Sequence, residues 1–145
     1  GQSTSRSEEY RQLFRLPSDE TLIQDYNCAL QDNFLLQGHM YLFDHYICFY
    51  SNLFGFETKR IIPFQEITSI RRAKAVAVFP TAIEIITSEK KYFFTSFLFR
   101  DEAFKLIDEG WQRMSTDQMV PNLFSEATSF HSFHLLYDLS FYLSK

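Results

Sequence analysis

Residues 38–64 read GHMYLFDHYICFYSNLFGFETKRIIPF, and the rest of the predicted fold is organised around them. It holds two apolar, aromatic-rich runs on either side of a short polar turn at Asp44-His45. Aromatic and β-branched residues favour strands, and a short turn between two such runs is typical of a β-hairpin. A second turn, at residues 52–56, follows the second run. The stretch therefore predicts successive antiparallel strands joined by tight turns.

The second turn has an unusual composition. Turn residues are commonly polar because they face water, yet this turn carries three large apolar side chains and is followed by two cations. The apolar residues are Leu53, Phe54 and Phe56, and the cations are Lys59 and Arg60. We interpret the turn as a loop that inserts into a membrane surface. The alternative is that it folds back and adds its aromatic rings to the core.

Outside this stretch, the apolar pattern predicts further strands and two helices. The seven predicted strands cover residues 22–30, 34–43, 46–51, 58–63, 67–73, 83–87 and 91–96. A short helix is predicted at residues 8–15, and a longer one begins at Arg100, where the apolar period becomes helical and acidic residues occupy the first turn. Seven strands followed by one helix predict a mainly β fold, a β-sandwich or an open barrel that the C-terminal helix plugs.

The length of 145 residues predicts one domain with tails. We place the domain at residues 8–111, with Trp111 as a core anchor at its end. Residues 1–7 are small and polar, and we predict that they are disordered. Residues 112–122 are predicted to form a linker. The aromatic-rich residues 123–145 show no clean period, which favours either poor order or a short helix.

The charge of the chain is unevenly distributed. The net charge is −4, but residues 58–91 hold seven cations against three anions. A basic middle in an acidic protein suggests a local anionic partner, and the negative total argues against a nucleic-acid binder. The cations that we predict to bind a lipid headgroup are Lys59, Arg60, Arg71, Arg72 and Lys74. The alternative is that they form an ordinary solvated strand face.

Arg100 and the two cysteines have structural interpretations. Arg100 opens the C-terminal helix, where it either contacts a headgroup or, as we favour, makes capping and ion-pair contacts. Cys28 and Cys48 lie inside apolar runs. This placement favours two buried thiols in a cytosolic protein over a disulfide.

No sequence pattern indicates catalysis, a cofactor or a metal. The chain contains no glycine-rich phosphate loop, no nucleophile elbow and no cluster of metal-ligating side chains. No window reaches the roughly 20 apolar residues that span a bilayer. We therefore expect a non-enzymatic, cytoplasmic protein that contacts a membrane peripherally.

Several motifs in order resemble one known family. They are FRLP at residues 14–17, DYNCAL at 25–30, LLQGHMYL at 35–42, HYICFYSNLFGFET at 45–58, RRAKAVAVFPTAI at 71–83, KKYFFTSFLFRDEAF at 90–104 and Gly110-Trp111. Together they resemble the GRAM domain, a relative of the pleckstrin-homology (PH) fold. The similarity is to the version found in proteins that also carry a VASt sterol-transfer domain, including plant cell-death regulators.

The resemblance implies a seven-stranded PH-like domain with a C-terminal helix. It also implies binding to anionic phospholipid headgroups, either phosphoinositides or phosphatidylserine, with sterol in some members, at contact sites between the endoplasmic reticulum and the plasma membrane. The resembling motifs end at Trp111 without a VASt domain, so sterol transfer is not carried over. The family usually has a polar residue after the Ala-Lys pair and Asn after the proline, whereas this chain reads AKAVAVFPT. A second hypothesis is an adaptor module that binds protein partners without lipid.

Overall fold

The computed structural model describes residues 2–75 and 78–126, with side chains at 5–75 and 78–116. The elements are α1 (Gln2–Phe14), β1 (Leu22–Gln31), β2 (Leu35–Phe43), β3 (Tyr46–Leu53), β4 (Phe56–Pro63), a short 3-10 helix (Phe64–Glu66), β5 (Ile67–Ala73), β6 (Ala82–Thr87), β7 (Lys91–Thr95) and α2 (Arg100–Glu126). The chain divides into two compact units, Gly1–Trp111 and Gln112–Lys145. The sheet and every site contact described below belong to the first unit.

The seven strands form one antiparallel sheet in the order β4-β3-β2-β1-β7-β6-β5. The only neighbours that are distant in sequence are β1 and β7, which pair through Ala29–Thr95, Leu30–Phe94 and Gln31–Phe93. This pairing joins the hairpins of β1–β4 to those of β5–β7. The predicted mainly β fold with seven strands, a short N-terminal helix and a C-terminal helix is confirmed.

Both faces of the β2–β3 hairpin are buried. Met40 and Phe49 are opposite each other and fully buried on one face, as are Leu42 and Ile47. On the other face, Tyr41 and Cys48 form a second apolar cluster with Phe14 and its neighbours in α1. The ring centroids of Tyr41 and Tyr10 are 4.2 Å apart. Because α1 covers one face and the main core covers the other, apolar residues occupy successive positions of these strands rather than alternate ones.

Gly38 allows β2 and β3 to approach each other closely. A Cβ atom on Gly38 would lie 2.4 Å from the carbonyl oxygen of Tyr50 and 2.7 Å from the Phe49 ring. Beside this contact, the Ser51 hydroxyl donates a hydrogen bond to the Gln37 carbonyl oxygen at 2.6 Å. A side chain at position 38 would therefore push against backbone that the sheet holds in place.

Helix α2 packs on the core through one face. Ala103 and Ile107 are fully buried, and a Cβ on Gly110 would lie 2.9 Å from the Phe64 ring. The indole N–H of the half-buried Trp111 donates a hydrogen bond to the Ile67 carbonyl oxygen at 3.1 Å. Trp111 therefore ties the helix to the first residue of β5, which is the anchoring role that the sequence predicted.

Both helices are longer than predicted. α1 begins at Gln2 rather than at residue 8, so the expectation that residues 1–7 are disordered is wrong for residues 2–7. The physical reason lies in β1: the buried Ser7 hydroxyl accepts a hydrogen bond from the Leu22 N–H at 3.1 Å, and Arg6 pairs with Asp25.

At the other end of the chain, α2 runs to Glu126 through the predicted linker. Good helix formers follow Trp111, and neither Gly nor Pro interrupts the chain before Pro121. The remaining tail, for which we expected poor order or a short helix, lies outside the described residues from 127 onward.

The two cysteines are free and buried, as predicted. Burial raises the pKa of the Cys28 thiol to about 12 and raises the pKa of the Cys48 thiol well above its usual range. Thiolate is the reactive form of cysteine. Both side chains are therefore unreactive packing residues in the folded protein.

We predict that neither thiol reacts with a thiol-specific reagent in native buffer at pH 8, because both are neutral and inaccessible. Two equivalents should react at once in denaturant, where both thiols regain their ordinary pKa. Absorbance of the released reagent measures the stoichiometry. Rapid native reaction of Cys28 or Cys48 would contradict the burial of that residue.

Replacing Gly38 by Ala should lower the free energy of unfolding by about 2–3 kcal/mol, since overpacking against a fixed backbone atom cannot be relieved by a side-chain rotation. Urea unfolding followed by Trp111 fluorescence measures the effect. Gly55→Asn is the matched control, because a Cβ at Gly55 meets no atom within 4 Å and Asn tolerates its positive φ of 87°. Equal effects of the two substitutions would contradict the close approach at Gly38.

Candidate functional site

The strand directions place the loops at two opposite ends of the sheet. Every neighbouring pair of strands is antiparallel. The β1–β2, β3–β4 and β6–β7 turns therefore lie together at what we call the hairpin end, formed by residues 32–34, 53–56 and 88–90. The β2–β3 turn, the β5–β6 connection and the β7–α2 loop lie at the other end, and we call the part of it formed by the last two loops the connector end. Its described residues are 74, 75, 78–81 and 96–99.

At the hairpin end, the β3–β4 turn presents its aromatic residues to solvent. Leu53 pairs with Phe56, leaving Phe54 and Gly55 as a two-residue loop with φ of 53° and 87°. Positive φ at both central positions is the requirement of a type I′ turn. Phe54 is fully exposed and Phe56 is 82% exposed. The alternative that these rings join the core is therefore wrong.

A pocket lies between this turn and the β1–β2 turn. Its volume is about 380 Å³, and it is lined by Asp32, Asn33, Phe34, Leu36, Leu53, Phe56, Thr58 and Arg60. Phe34 is 77% exposed and the adjacent Leu35 is half exposed. Phe34 was predicted to be the first residue of a strand, but β2 begins at Leu35 and Phe34 belongs to the exposed turn. The available signal was a large apolar residue directly after the turn dipeptide Asp32-Asn33.

The two predicted cations on β4 are adjacent residues and point to opposite sides of the strand. The Lys59 ammonium donates a hydrogen bond to the Leu13 carbonyl oxygen near the end of α1 at 3.2 Å. The Arg60 guanidinium pairs with the Asp32 carboxylate at 3.1 Å and donates to the Lys59 carbonyl oxygen at 2.9 Å. Both cations therefore have contacts within the fold.

The predicted cations on β5 lie toward the connector end. Arg71 is opposite Glu84 on β6 and pairs with its carboxylate at 3.3 Å. Arg72 pairs with Asp101 at 3.2 Å, and its guanidinium carbon lies 4.0 Å from the Phe104 ring centroid. Lys74 is exposed, and no carboxylate of the described residues pairs with it.

Arg100 joins the two loops of the connector end. One guanidinium nitrogen, Nη1, donates hydrogen bonds to the Ala73 carbonyl oxygen at 2.9 Å and to the Ala82 carbonyl oxygen at 3.1 Å. Its side chain is only 13% exposed, and Nε donates to the Asp101 carboxylate at 2.8 Å. This hydrogen bond lowers the pKa of Asp101. Arg100 therefore has a structural role, as favoured from the sequence.

Among the described residues of the connector end, four apolar side chains are exposed. The exposed fractions are 72% for Val78, 62% for Phe79, 85% for Leu98 and 66% for Phe99. Arg100 and a hydrogen bond from the Phe97 N–H to the Thr81 carbonyl oxygen hold the two loops together. This apolar group was not predicted from the sequence, because strand and helix patterns do not show that residues 78–79 and 98–99 reach the same surface.

The predicted site residues thus fall into two groups that the fold keeps apart. The hairpin end has the apolar turn with Lys59 and Arg60 on the strand that follows it. Arg71, Arg72 and Lys74 lie toward the connector end, beside a different set of exposed apolar side chains. No side-chain contact of the described residues joins the two groups.

The described part of the chain contains no group of three or more His, Cys, Asp and Glu that could hold a metal ion. Likewise, no helix within it is long and apolar enough to cross a membrane.

Comparison with known proteins identifies the family. The model of the GRAM domain family matches residues 8–116. The chain belongs to the GRAM domain family.

Relatives of this GRAM domain come from plants, animals and fungi. It is 70% identical over 107 residues to the protein VASCULAR ASSOCIATED DEATH 1, chloroplastic, of Arabidopsis thaliana, covering 74% of this chain and 18% of that protein. It is 49% identical over 108 residues to human protein Aster-A, and the match covers 74% of this chain and 15% of that protein. It is 34% identical over 128 residues to the membrane-anchored lipid-binding protein LAM5 of Saccharomyces cerevisiae, and the match covers 86% of this chain and 19% of that protein. The chain thus spans less than a fifth of each relative.

Solved structures support the same architecture. A C-terminal domain of an unknown protein from Leishmania infantum matches with a TM-score of 0.62 and 33% identity, covering 72% of this chain and 96% of that one. The Vps36 N-terminal PH domain matches with a TM-score of 0.57 and 8% identity, and the match covers 70% of this chain and 86% of that domain. The second likeness concerns the fold alone, and it shows that the GRAM domain is PH-like.

Replacing Arg100 by Met should lower the free energy of unfolding of this GRAM domain by about 2 kcal/mol, because two part-buried carbonyl oxygens lose their donor. Arg71→Met is the matched control on the same end. Its ion pair is exposed, so its loss should cost about 0.5 kcal/mol or less. Urea unfolding of both variants measures the difference, and equal losses would contradict the structural role of Arg100.

Proposed function

We propose that this GRAM domain is a peripheral module that binds anionic phospholipid headgroups, phosphatidylserine or a phosphoinositide, at the cytosolic face of a membrane. The observation that carries the proposal is the connector end, where exposed apolar side chains from two loops lie beside Arg71, Arg72 and Lys74. A peripheral membrane protein needs cations to meet phosphate and apolar side chains to enter the interface. The name of LAM5, a membrane-anchored lipid-binding protein, supports the same class of function.

The cations at the connector end are available to a headgroup. The side chains of Arg71 and Arg72 are 61% and 52% exposed. Exposed ion pairs contribute only about 0–1 kcal/mol, so a phosphate group can replace their carboxylate partners at little cost. Lys74 has no such partner to lose among the described residues. Each cation near an anionic surface contributes roughly 1 kcal/mol, and salt screens this attraction.

The cations at the hairpin end are less available. Lys59 is bound to a carbonyl oxygen of α1, and the Arg60 side chain is only 28% exposed and is paired with Asp32. Insertion of Leu53, Phe54 and Phe56, which we predicted from the sequence, would instead require the opposite end of the domain to face the bilayer. The connector end offers three cations and four exposed apolar residues together, so we assign membrane contact to it.

We expect the domain to sediment with phosphatidylcholine vesicles that contain phosphatidylserine or a phosphoinositide, and to stay in solution with phosphatidylcholine alone. Raising the salt concentration should weaken the binding. The double variant Arg71→Gln/Lys74→Gln should bind roughly tenfold or more weakly, since two cations of about 1 kcal/mol each are lost. Phe79→Ser/Leu98→Ser should also bind weakly, while its unfolding transition is unchanged.

Phe54→Ser/Phe56→Ser is the matched control at the hairpin end and should bind like the unmodified domain. If this variant alone lost binding, the membrane contact would belong to the hairpin end instead. Equal binding to neutral and anionic vesicles would overturn the headgroup proposal altogether.

A further inference from the structure

The β3–β4 turn holds an aromatic ring that its own chain does not use. Phe54 is fully exposed and has a φ of 53°. A positive φ is unfavourable for a bulky residue, and this position of a type I′ turn prefers Asn, Asp or Gly. Phe54 therefore costs the isolated chain conformational free energy and adds nothing to the core. Such a ring is expected where a protein surface meets another molecule.

A pocket lies directly beside this ring. It opens between the β1–β2 and β3–β4 turns and has a volume of about 380 Å³. Leu53 and Phe56, the residues on either side of the two-residue loop, line it together with Phe34 and Leu36. The volume lies in the range of roughly 300–1,000 Å³ that accepts a small molecule, and one aromatic side chain is no larger. A protruding ring and a cavity that can hold a ring therefore occur side by side at the hairpin end.

We propose that the hairpin end is a self-association surface, in which two copies of this chain pair about a twofold axis and the Phe54 ring of each copy enters the pocket of the other. In a twofold interface the same surface occurs on both partners, so every contact between two different residues is made twice. A ring and a pocket on one surface meet this requirement. This surface lies at the end opposite to the proposed membrane contact and is independent of it.

The charges around the pocket suit a second copy better than an anionic membrane. Two lining residues, Arg60 and Asp32, pair at 3.1 Å, so an entering ring meets no net charge from them and the two pockets do not repel each other. The exposed Glu57 is on the other side of β4 from Arg60. An anionic bilayer gains little from a cation that is already neutralised, and its fluid acyl chains need no shaped cavity.

The exposed apolar area predicts a weak dimer. Phe54 is fully exposed, Phe34 and Phe56 are exposed by 77% and 82%, and Leu35 is half exposed. An aromatic side chain buries roughly 150–250 Å², so these residues can bury roughly 500 Å² on each copy and about 1,000 Å² in total. Interfaces below about 1,200 Å² are typical of transient complexes. We therefore expect a dimer that dissociates on dilution.

Sedimentation equilibrium of the whole chain without lipid, over a range of concentrations, tests the proposal. We expect a reversible monomer–dimer equilibrium. Phe54→Ser should weaken it at least roughly hundredfold, because the twofold axis removes two buried rings at once. The control Phe79→Ser/Leu98→Ser, at the connector end, should associate like the unmodified chain. An unmodified chain that stays monomeric at every concentration, or equal association of Phe54→Ser, would overturn the proposal.

Two variants that each lose association should recover it when they are mixed. Phe54→Ser keeps the pocket and lacks the ring, whereas Thr58→Trp fills the pocket from its wall and keeps the ring. Neither should dimerise alone. A mixed pair retains one of the two ring-in-pocket contacts, so it should bind roughly tenfold to hundredfold more weakly than the unmodified chain. Non-specific adhesion of apolar surfaces predicts no recovery, and a mixture that does not associate would contradict the pairing.

Urea unfolding should show that both variants fold. If Thr58→Trp is destabilised, Leu36→Trp fills the same pocket from β2 and takes its place. When the unlabelled filled variant is added to isotope-labelled Phe54→Ser, backbone amide shifts should appear at residues 32–36 and 56–60, around the open pocket. Shifts confined to residues 96–99 would overturn the proposal. If Phe54→Ser lost only vesicle binding and sedimented like the unmodified chain, the turn would be a membrane-inserting loop instead.

Discussion

The structure depends on the burial of both faces of the β2–β3 hairpin. One face belongs to the main core and the other is covered by α1, so the hairpin lies between two packed layers of apolar side chains. The two strands approach so closely at Gly38 that no side chain fits there. The β3–β4 turn extends from the same rigid hairpin, which explains how an exposed turn can hold aromatic side chains in solvent without collapsing.

The antiparallel order of the strands has a second effect, because it sorts the loops into two ends with different chemistry. At the connector end, β5 and α2 bring cations beside exposed apolar residues. At the hairpin end, acidic and basic side chains neutralise each other at the mouth of a pocket. The two ends therefore differ in composition, although a single antiparallel sheet forms both.

The fold was largely predictable from the sequence, whereas the site was predictable only in part. Strand positions follow from short apolar, aromatic-rich runs bounded by turn residues, and they were predicted to within about two residues. The start of α1 was missed because it depends on contacts of Ser7 and Arg6 with β1, which are distant in the sequence. Exposure of Phe54 was one of the two alternatives predicted for the turn at residues 52–56, and the structure decides between them. The partners of Arg71 and Arg72 could not be predicted, because strand register and helix packing determine them.

Arg100 closes the β5–β6 connection at its base, since the same nitrogen holds the carbonyl oxygens of Ala73 and Ala82. The β5–β6 connection therefore leaves and re-enters the sheet at one point, which a side chain of α2 fixes. We expect substitutions at exposed positions of this connection, such as Val78 and Phe79, to change the surface of the domain while β5 and β6 keep their pairing.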